Sequence, residues 1–259
     1  MSSRVRATVL PIAGTDAGRA ELSIGAGGDR TMELDRAAEA DVFAELDALA
    51  ARGEKFSVLS EEAGRRSFGA DYPLVLVDPV DGSLNAKQGV PFFGVMLALV
   101  DGPTIADTVA GCVVNVINGD AWTAIRKQGA RRGGKPIEVL RRTEGKPLEL
   151  VGLESTPSAL AVARGLIQRS GKIRILGSMA LAIAHTAGGS FDAFCAPIPM
   201  RVFDMTASLL ILAEAGGVAT DLGGRPLGSL ACGLESRSSL ICAPSRELHT
   251  IAMRALAGE

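Results

Sequence analysis

Two aspartates three residues apart, Asp78 and Asp81, end an apolar segment and have the chemistry of metal ligands. Residues 74–85 read LVLVDPVDGSLN, in which the apolar, largely β-branched run predicts a buried strand. Carboxylates at the end of a buried strand are costly unless a cation neutralises them, and a hard divalent cation bound by oxygen ligands suits them. Pro79 stiffens the turn and lets the carbonyl of Val80 face the cation. The segment therefore predicts a metal site.

A phosphate site is predicted directly after these aspartates. Gly82 lets the backbone approach a ligand closely, and the N–H groups that follow, beginning at Ser83, can open a helix and hold a phosphate. The alternative is an ordinary aspartate-rich turn, because Asp, Pro, Gly and Ser are all favoured in turns. The other acidic groups of the chain favour the metal-assisted phosphate site.

Further carboxylates lie at the ends of predicted elements. Glu61 and Glu62 follow a predicted strand, Asp204 precedes a predicted helix, and Asp35 lies at the start of another. Each has a plain alternative, since the aspartates can cap helices and the glutamates can lie in a polar loop. Glu61, Asp78, Asp81 and Asp204 together can supply the hard oxygen ligands for two or three Mg²⁺ ions. That these four residues meet in the fold is implied only by the family resemblance given below.

Composition excludes several other classes of protein. The 259 residues carry a net charge of −2, which argues against non-specific nucleic-acid binding. The pairs Arg131-Arg132 and Arg141-Arg142 are too short to change this and are expected to be solvated. No apolar run approaches the ~20 residues of a membrane span, and no signal peptide is visible. Four cysteines without CxxC spacing and two distant histidines argue against zinc and favour a reduced cytoplasm.

The first half of the chain predicts one long helix and several strands. Leu34, Ala38, Val42, Leu46 and Leu49 recur at helical spacing, and Gly53 ends this helix. Pro11, Gly14 and Gly18 would interrupt any helix in the N-terminal region. The predicted elements are a helix at 34–52, strands at 56–59, 74–77 and 92–100, a hairpin of 111–118 with 121–125, and a turn and strand at 129–140 with Gly133-Gly134 at the tip.

The second half alternates strands and helices. Polar residues 142–147 are a plausible seam, which divides the chain into 1–142, with Glu61, Asp78 and Asp81, and 143–259, with Asp204 and the substrate-facing loops. Stacked layers of helix and sheet are expected, with the acidic loops meeting where the halves join. The predicted elements are strands at 148–153, 173–176, 191–195 and 240–243 and helices at 157–170, 178–187 and 205–215.

The motifs resemble those of the inositol monophosphatase superfamily. They are Ser60-Glu61-Glu62, residues 78–85, and residues 203–208 followed by Glu214 to Gly217. Residues 28–35, 91–99, 174–180 and 189–193 are similar to the archaeal-type branch, in which fructose-1,6-bisphosphatase and inositol monophosphatase activities occur together. The resemblance implies an α+β or α/β fold, a layered αβαβα sandwich.

The resemblance also implies roles for single residues. Glu61, Asp78, Asp81, Asp204 and the Val80 carbonyl would hold Mg²⁺. Ser83, paired with Asp35, would orient the attacking water, and Glu62 would act near the first metal. The residues that would bind the phosphate or the ring of the substrate are Asp81, Gly82, Ser83, Gly177, Ser178 and Asp204, and Arg174 and Arg201 could meet a second phosphate.

Three positions depart from the family pattern. Ser83 replaces the usual threonine, and Phe203 replaces the tryptophan before the late aspartate. The glutamate that contacts inositol in animal enzymes is absent, because Pro197 to Arg201 occupies that region. These departures favour a broader or bisphosphate substrate over an inositol-only enzyme.

The predicted function is Mg²⁺-dependent hydrolysis of inositol 1-phosphate, fructose 1,6-bisphosphate or both by a metal-activated water. One alternative is a phosphatase of 3′-phosphoadenosine phosphate or NADP. A second is a non-catalytic binding relative, whose signature would be the loss of a metal carboxylate, and none is lost. The resemblance also implies a homodimer.

Overall fold

The computed structural model describes residues 1–26, 30–139 and 148–259. The helices are α1 (Ser2–Val9), α2 (Asp16–Arg19), α3 (Glu33–Ala51), α4 (Ser83–Gln88), α5 (Arg164–Arg169), α6 (Met179–Ala187), α7 (Thr206–Glu214) and α8 (Arg246–Ala257). The strands are β1 (Glu21–Ile24), β2 (Arg30–Met32), β3 (Phe56–Ser60), β4 (Gly64–Asp81), β5 (Gly94–Val100), β6 (Thr108–Asn115), β7 (Ala121–Ile125), β8 (Ala130–Arg132), β9 (Lys135–Pro136), β10 (Leu150–Leu153), β11 (Lys172–Ile175), β12 (Ala193–Arg201), β13 (Val218–Thr220) and β14 (Arg237–Ala243).

Two large sheets organise the described part of the chain. A seven-stranded sheet has the order β3-β4-β5-β6-β7-β8-β9, and its strands pair antiparallel from β4 onward. A five-stranded sheet has the order β11-β10-β12-β14-β13, and β10 pairs in parallel with both β11 and β12. This agrees with the prediction of several strands, including a hairpin, in the first half and alternating strands and helices in the second.

Helices cover and separate these sheets. Helix α3 packs on α1 and on β4, at one face of the seven-stranded sheet. Helices α6 and α7 contact β5 and β6 of that sheet and also β12, β13 and β14 of the other, so they form a layer between the two sheets. Helices α5 and α8 pack together, and α8 covers the outer face of the five-stranded sheet. The predicted layered αβαβα sandwich is confirmed.

The two central helices are apolar all round because both of their sides are covered. Every residue of α6 except His185 is buried, and α7 is buried at most positions. A helix of this kind is stable only inside a core. Hydroxyl groups in these two helices donate to carbonyls of α6: Thr186 donates to Ala182 at 2.8 Å, and Ser208 of α7 donates to Ala180 at 2.9 Å.

Residues of β12 alternate between two hydrophobic clusters. Phe194 packs with Leu240 in the cluster between the sheets, whereas Cys195 packs with Ile241 in the cluster under α5 and α8. Because side chains alternate across a strand, a sheet covered on both faces needs an unbroken apolar sequence. This explains why such segments read as continuous apolar runs.

The helix predicted at 157–170 is wrong in its first half. Residues 157–163 form successive turns, in which Ala159 bonds to Thr156 at 3.0 Å and Ala163 to Leu160 at 3.1 Å, and only Arg164–Arg169 is α-helical. Hydrogen bonds between residues three apart wind the backbone more tightly than the α-helix, in which bonded residues are four apart. Helix α8 was missed by the sequence analysis. The strand predicted at 191–195 continues to Arg201, with an irregularity between Ala196 and Met200.

Most other predicted elements are confirmed to within a few residues at their ends, but the strand predicted at 74–77 is only the last part of β4, which begins at Gly64. Helix α3, the hairpin β6–β7 and the Gly133-Gly134 turn lie where expected, and the N-terminal region is broken between α1 and α2. The residues at 27–29 and 140–147 lie outside the described part, and with them Gly28, Arg141, Arg142 and the seam. The division at 142 therefore stays a prediction. No helix among the described residues is long and apolar enough to cross a membrane.

Candidate active site

Three carboxylates from separate elements meet at one edge of the seven-stranded sheet. Glu61 directly follows β3, and Asp78 lies near the carboxyl end of β4. Asp204 ends a short 3-10 turn before α7. One oxygen from each of these side chains lies within 4.8 Å of the other two. All three residues are at most 9% exposed. This spacing allows one cation to contact all three carboxylates.

The turn after β4 is held by its own aspartate. The N–H of Val80 donates to Oδ1 of Asp78 at 2.9 Å, and both residues are buried. The side-chain bond leaves the second oxygen of Asp78 available to the cluster. Pro79 supplies no donor here, as its ring nitrogen carries no hydrogen.

Asp81 lies at the N-terminus of α6, in the other half of the chain. Its carboxylate accepts bonds from the hydroxyl of Ser178 and from the N–H groups of Met179 at 3.2 Å and Ala180 at 2.9 Å. Anions are stabilised at helix N-termini by these unpaired donors and by the helix dipole. Asp81 thus connects the end of β4 to α6, in addition to facing the cavity.

Arg201 is the cation among these acids. Its Nη2 lies 2.5 Å from Oε1 of Glu61, and its Nε lies 3.8 Å from Oδ2 of Asp204. The Arg201 side chain is only 17% exposed. Asp204 also accepts a bond from the backbone N–H of Arg201 at 3.1 Å, so the predicted capping role of Asp204 and its membership of the cluster coexist.

Burial and mutual repulsion disfavour ionisation of the buried aspartates. Burial raises the pKa of Asp78 well above its ordinary value, and the charges of Glu61, Asp81 and Asp204 raise it further, whereas Arg201 lowers it. Burial and the charge of Asp204 raise the pKa of Asp81 to about 7, against the bonds from Ser178 and α6. A bound cation would relieve this repulsion.

The glycine turn between the halves is closely packed. Gly82 has φ +90°, and a side chain there would meet the carbonyl of Gly177 at 2.8 Å. Asn85 donates to the carbonyls of Phe92 at 2.7 Å and Leu176 at 2.6 Å. Helix α4 begins at Ser83, directly after this turn. The close contacts bring the predicted phosphate and ring contacts, Gly82, Ser83, Gly177 and Ser178, to one place.

Two of the three predicted catalytic residues form a neighbouring group. Glu62 accepts a bond from the hydroxyl of Thr31, and its charge raises the pKa of Asp35. Asp35 accepts a bond from the N–H of Met32 at 2.9 Å, which is the capping role that the sequence left open. Within the described residues Ser83 forms no hydrogen bond with Asp35, so their pairing stays a prediction.

One cavity of about 200 Å³ is lined by the carboxylate cluster and the glycine turn. The predicted residues that line it are Glu61, Asp78, Val80, Asp81, Gly82, Ser83, Gly177, Arg201 and Asp204. Four predicted site residues are not among these lining residues: Asp35, Glu62, Ser178 and Arg174. Arg174 is exposed on β11, where its Nη1 donates to the carbonyl of Ile173 at 2.8 Å.

Glu154 also lines this cavity, and the sequence analysis did not single it out. It is the first residue after β10, just as Glu61 is the first after β3. An acidic residue directly after a short apolar strand was therefore the available signal. Leu84, Met179 and Met200 complete the lining.

The donor set fits a hard divalent cation. The clustered carboxylates are incompletely neutralised, because Arg201 is the only cationic side chain among the described residues that line the cavity. Oxygen ligands of this kind suit Mg²⁺, Ca²⁺ or Mn²⁺ rather than softer metals.

Comparisons with known proteins point to one family. A sequence model described as the inositol monophosphatase family matches residues 13–257. A fructose-1,6-bisphosphatase/inositol-1-monophosphatase of Methanothermobacter thermautotrophicus is 33% identical over 99% of this chain and 94% of its own. An inositol-1-monophosphatase of Aeropyrum pernix is 32% identical over 80% of this chain and 79% of its own. A solved structure from Pyrococcus horikoshii, described as a hypothetical protein with similarities to inositol-1 monophosphatase, is 26% identical with a TM-score of 0.81, and covers 98% of this chain and 94% of that one.

Proposed function

Because the chain belongs to the inositol monophosphatase family, we propose that it is a Mg²⁺-dependent phosphomonoesterase that hydrolyses inositol 1-phosphate, fructose 1,6-bisphosphate or both. Relatives with these two activities in their names cover most of the chain. The observation that carries the proposal is the meeting of Glu61, Asp78 and Asp204 within 4.8 Å. The alternative substrates, 3′-phosphoadenosine phosphate and NADP, are not favoured by these relatives.

The carboxylates are proposed to hold the metal ions. Glu61, Asp78, Asp81 and Asp204, with the Val80 carbonyl, supply the oxygen ligands for two or three Mg²⁺ ions. When bound, such ions lower the pKa of a coordinated water and neutralise charge on phosphoryl oxygens and the leaving group. Arg201 would have to leave Glu61 when a metal binds, because both cations use the same carboxylate.

The glycine turn is proposed to hold the phosphate. Gly82 and Ser83 lie at the start of α4, in a turn where a side chain at Gly82 would overlap the carbonyl of Gly177. Backbone N–H groups at the start of a helix bind phosphate oxygens without carrying charge that must be desolvated. Gly177 and Ser178 lie against this turn, where they would border the ring of the substrate.

The attacking water is proposed to be oriented by Ser83 with Asp35, and Glu62 is proposed to act beside it. Support for this comes from the proximity of Asp35 and Glu62, because the charge of Glu62 adds to burial in raising the pKa of Asp35. A phosphoryl-transfer transition state needs positioning more than covalent chemistry, which suits a site built from carboxylates and a hydroxyl. Arg201, released from Glu61, is proposed to contact a second phosphate, and Arg174 is proposed for the same role.

Phosphate release tests the proposal directly. Inositol 1-phosphate and fructose 1,6-bisphosphate are supplied separately, with Mg²⁺ varied and with a chelator. We expect release from at least one substrate, loss in chelator and recovery on adding Mg²⁺. Release from neither substrate, or release independent of divalent ions, would contradict the proposal. A homodimer and a cytoplasmic location are proposed on the family resemblance, and light scattering after gel filtration tests the former.

A further inference from the structure

Glu154 is an acidic residue of the cavity to which the metal and phosphate proposals give no role. It follows β10, and its backbone N–H donates to the carbonyl of Cys195 in β12 at 3.0 Å. Strand β10 lies in parallel between β11 and β12, so its carboxyl end faces the same edge as the Gly177 loop that follows β11. Ligands of such sheets bind at the carboxyl ends of parallel strands.

The carboxylate of Glu154 is held on the substrate side of the cavity. Burial is the main reason why the pKa of Glu154 is raised, and the charge of Asp204 adds to it, whereas the neighbouring backbone N–H groups of Ser155 and Gly177 lower it. Gly177 is also the residue that packs against the phosphate turn at Gly82. Glu154 therefore shares the cavity with the predicted metal ligand Asp204 and with Gly177, which we propose to border the substrate ring.

Glu154 has no cation to neutralise it among the described residues, since Arg201 pairs with Glu61 and Asp204. A half-buried carboxylate that is not in an ion pair is a strong acceptor for hydroxyl groups. The cavity also carries apolar lining at Leu84, which is 66% exposed, and at Met200. A ring with hydroxyls on its edge and C–H groups on its face satisfies both kinds of surface.

We infer that Glu154 is a substrate-binding residue, which accepts hydrogen bonds from ring hydroxyls of a polyol phosphate and so selects hydroxyl-rich leaving groups over plain phosphate esters. This inference rests on the proposed phosphatase function. It assigns Glu154 to the leaving group and neither to the metal ions nor to the phosphate.

Comparison of two substrate types with one variant tests the inference. In Glu154→Gln, we expect KM for the preferred polyol phosphate, inositol 1-phosphate or fructose 1,6-bisphosphate, to rise about tenfold or more, as for loss of a hydrogen bond to a charged group. KM for p-nitrophenyl phosphate, whose leaving group has no ring hydroxyls, stays within about twofold of wild type, and so does kcat for both. Magnesium affinity, measured by titration calorimetry without substrate, stays unchanged.

Glu149→Gln is the matched control, since Glu149 is an exposed glutamate just before the same strand. It should leave both KM values unchanged. Glu154→Asp, which keeps the charge but shortens its reach, should show the same selective rise in KM and serves if the glutamine variant does not fold. Equal losses on both substrates, weakened magnesium binding, or an unchanged KM for the polyol phosphate would each overturn the inference. A wild-type protein that cleaves none of these esters would overturn the proposed function instead.

Discussion

Arg201 and Glu61, far apart in the chain, form an ion pair of 2.5 Å inside the acidic cluster. The pair is largely buried, with the two side chains 17% and 11% exposed. Its geometry makes the guanidinium an internal counter-ion of the site. A divalent ion that binds the same oxygen of Glu61 competes with this guanidinium, which leads to the first prediction.

Replacement of Arg201 should lower the stability of the metal-free protein and increase the stabilisation that Mg²⁺ provides. In Arg201→Gln the buried acids lose their cation, and removing one partner of a buried pair costs about 3–5 kcal/mol. We expect the unfolding midpoint in chelator at pH 8 to fall by about 6–15 °C. Saturating Mg²⁺ should raise the midpoint more in the variant than in wild type, because no guanidinium competes for Glu61. Differential scanning calorimetry with and without Mg²⁺ measures both effects.

The control for this prediction is Arg225→Gln. Arg225 pairs with Asp221 at 2.8 Å but is 84% exposed, and surface pairs of this kind contribute about 0–1 kcal/mol. Its midpoint should stay close to that of wild type, with and without Mg²⁺. If the Arg201 variant responds to Mg²⁺ as wild type does, the guanidinium does not compete with metal.

Removal of a cluster carboxylate should abolish metal-dependent turnover while sparing the fold. In Asp204→Asn or Asp78→Asn, one oxygen ligand becomes a neutral amide, and we expect phosphate release at saturating Mg²⁺ to fall by about 100-fold or more. The same change removes a buried repulsive charge, so the metal-free midpoint should rise and the stabilisation by Mg²⁺ should shrink. Phosphate release and thermal unfolding are measured on the same preparations.

Asp71→Asn is the matched control for these variants, because the Asp71 side chain is 82% exposed. It should keep wild-type turnover and the wild-type response to Mg²⁺. Full magnesium-dependent turnover in the Asp204 variant would show that this carboxylate is not part of the metal site.

Gly82 and Gly53 provide a matched pair for the packing of the phosphate turn. Both have positive φ, +90° and +93°, but a Cβ at Gly82 would lie 2.8 Å from the Gly177 carbonyl, whereas nothing lies within 4 Å of one at Gly53. Gly53→Ala should therefore cost only the backbone strain, about 1–2 kcal/mol. Gly82→Ala adds steric overlap and should cost about 2–5 kcal/mol.

Urea unfolding of the two alanine variants measures these free energies, and turnover gives a second readout. Gly82→Ala should also raise KM, because displacement of the turn moves the N–H groups proposed to hold phosphate, while Gly53→Ala should leave KM unchanged. Equal destabilisation of the two variants would mean that the Gly177 contact does not constrain the turn.

Stability of the metal-free protein should fall as the pH rises toward 8. Burial is the main reason why the pKa of Asp35 is raised to about 7, and the charges of Glu62 and Glu39 add to it, against the bond from Met32. The unfolded carboxyl titrates near 3.8. Between these values the folded protein keeps a proton that the unfolded chain releases, so its stabilising effect is present at low pH and is lost as the pH rises through about 7.

Asp35→Asn removes this dependence while its amide oxygen can still accept from Met32. We expect unfolding midpoints in chelator to match wild type near pH 4 and to exceed it near pH 8, with a shallower slope between. Part of the slope should persist, because the pKa of Asp81 is also raised to about 7. The pKa of Asp107 is lowered by bonds from Thr104. Asp107→Asn should therefore change the pH dependence of the unfolding midpoint in the opposite direction. Parallel curves for wild type and the Asp35 variant would contradict the assignment.

Much of the local structure was predictable because it depends on neighbouring residues. The helix that begins near Leu34 follows from apolar spacing and from Gly53, and the hairpin turn follows from Asn118-Gly119-Asp120. Prediction failed where a segment was shaped by contacts distant in sequence. Residues 157–163 have helical composition but form turns. In α5, which follows them, a side chain at Gly165 would overlap the Ala255 carbonyl of α8.

The sequence by itself determined which chemistry is available: carboxylates after apolar strands, a rigid turn at Pro79 and a glycine turn suited to phosphate. Only the tertiary structure decided that Asp204 meets Asp78, that Arg201 pairs with Glu61 and not with solvent, that Arg174 lies exposed, and that Glu154 enters the cavity. The physical reason is that local patterns specify where an element begins and which face is apolar. The partners of its ends are set by how α6 and α7 pack between the two sheets, which depends on the whole core at once.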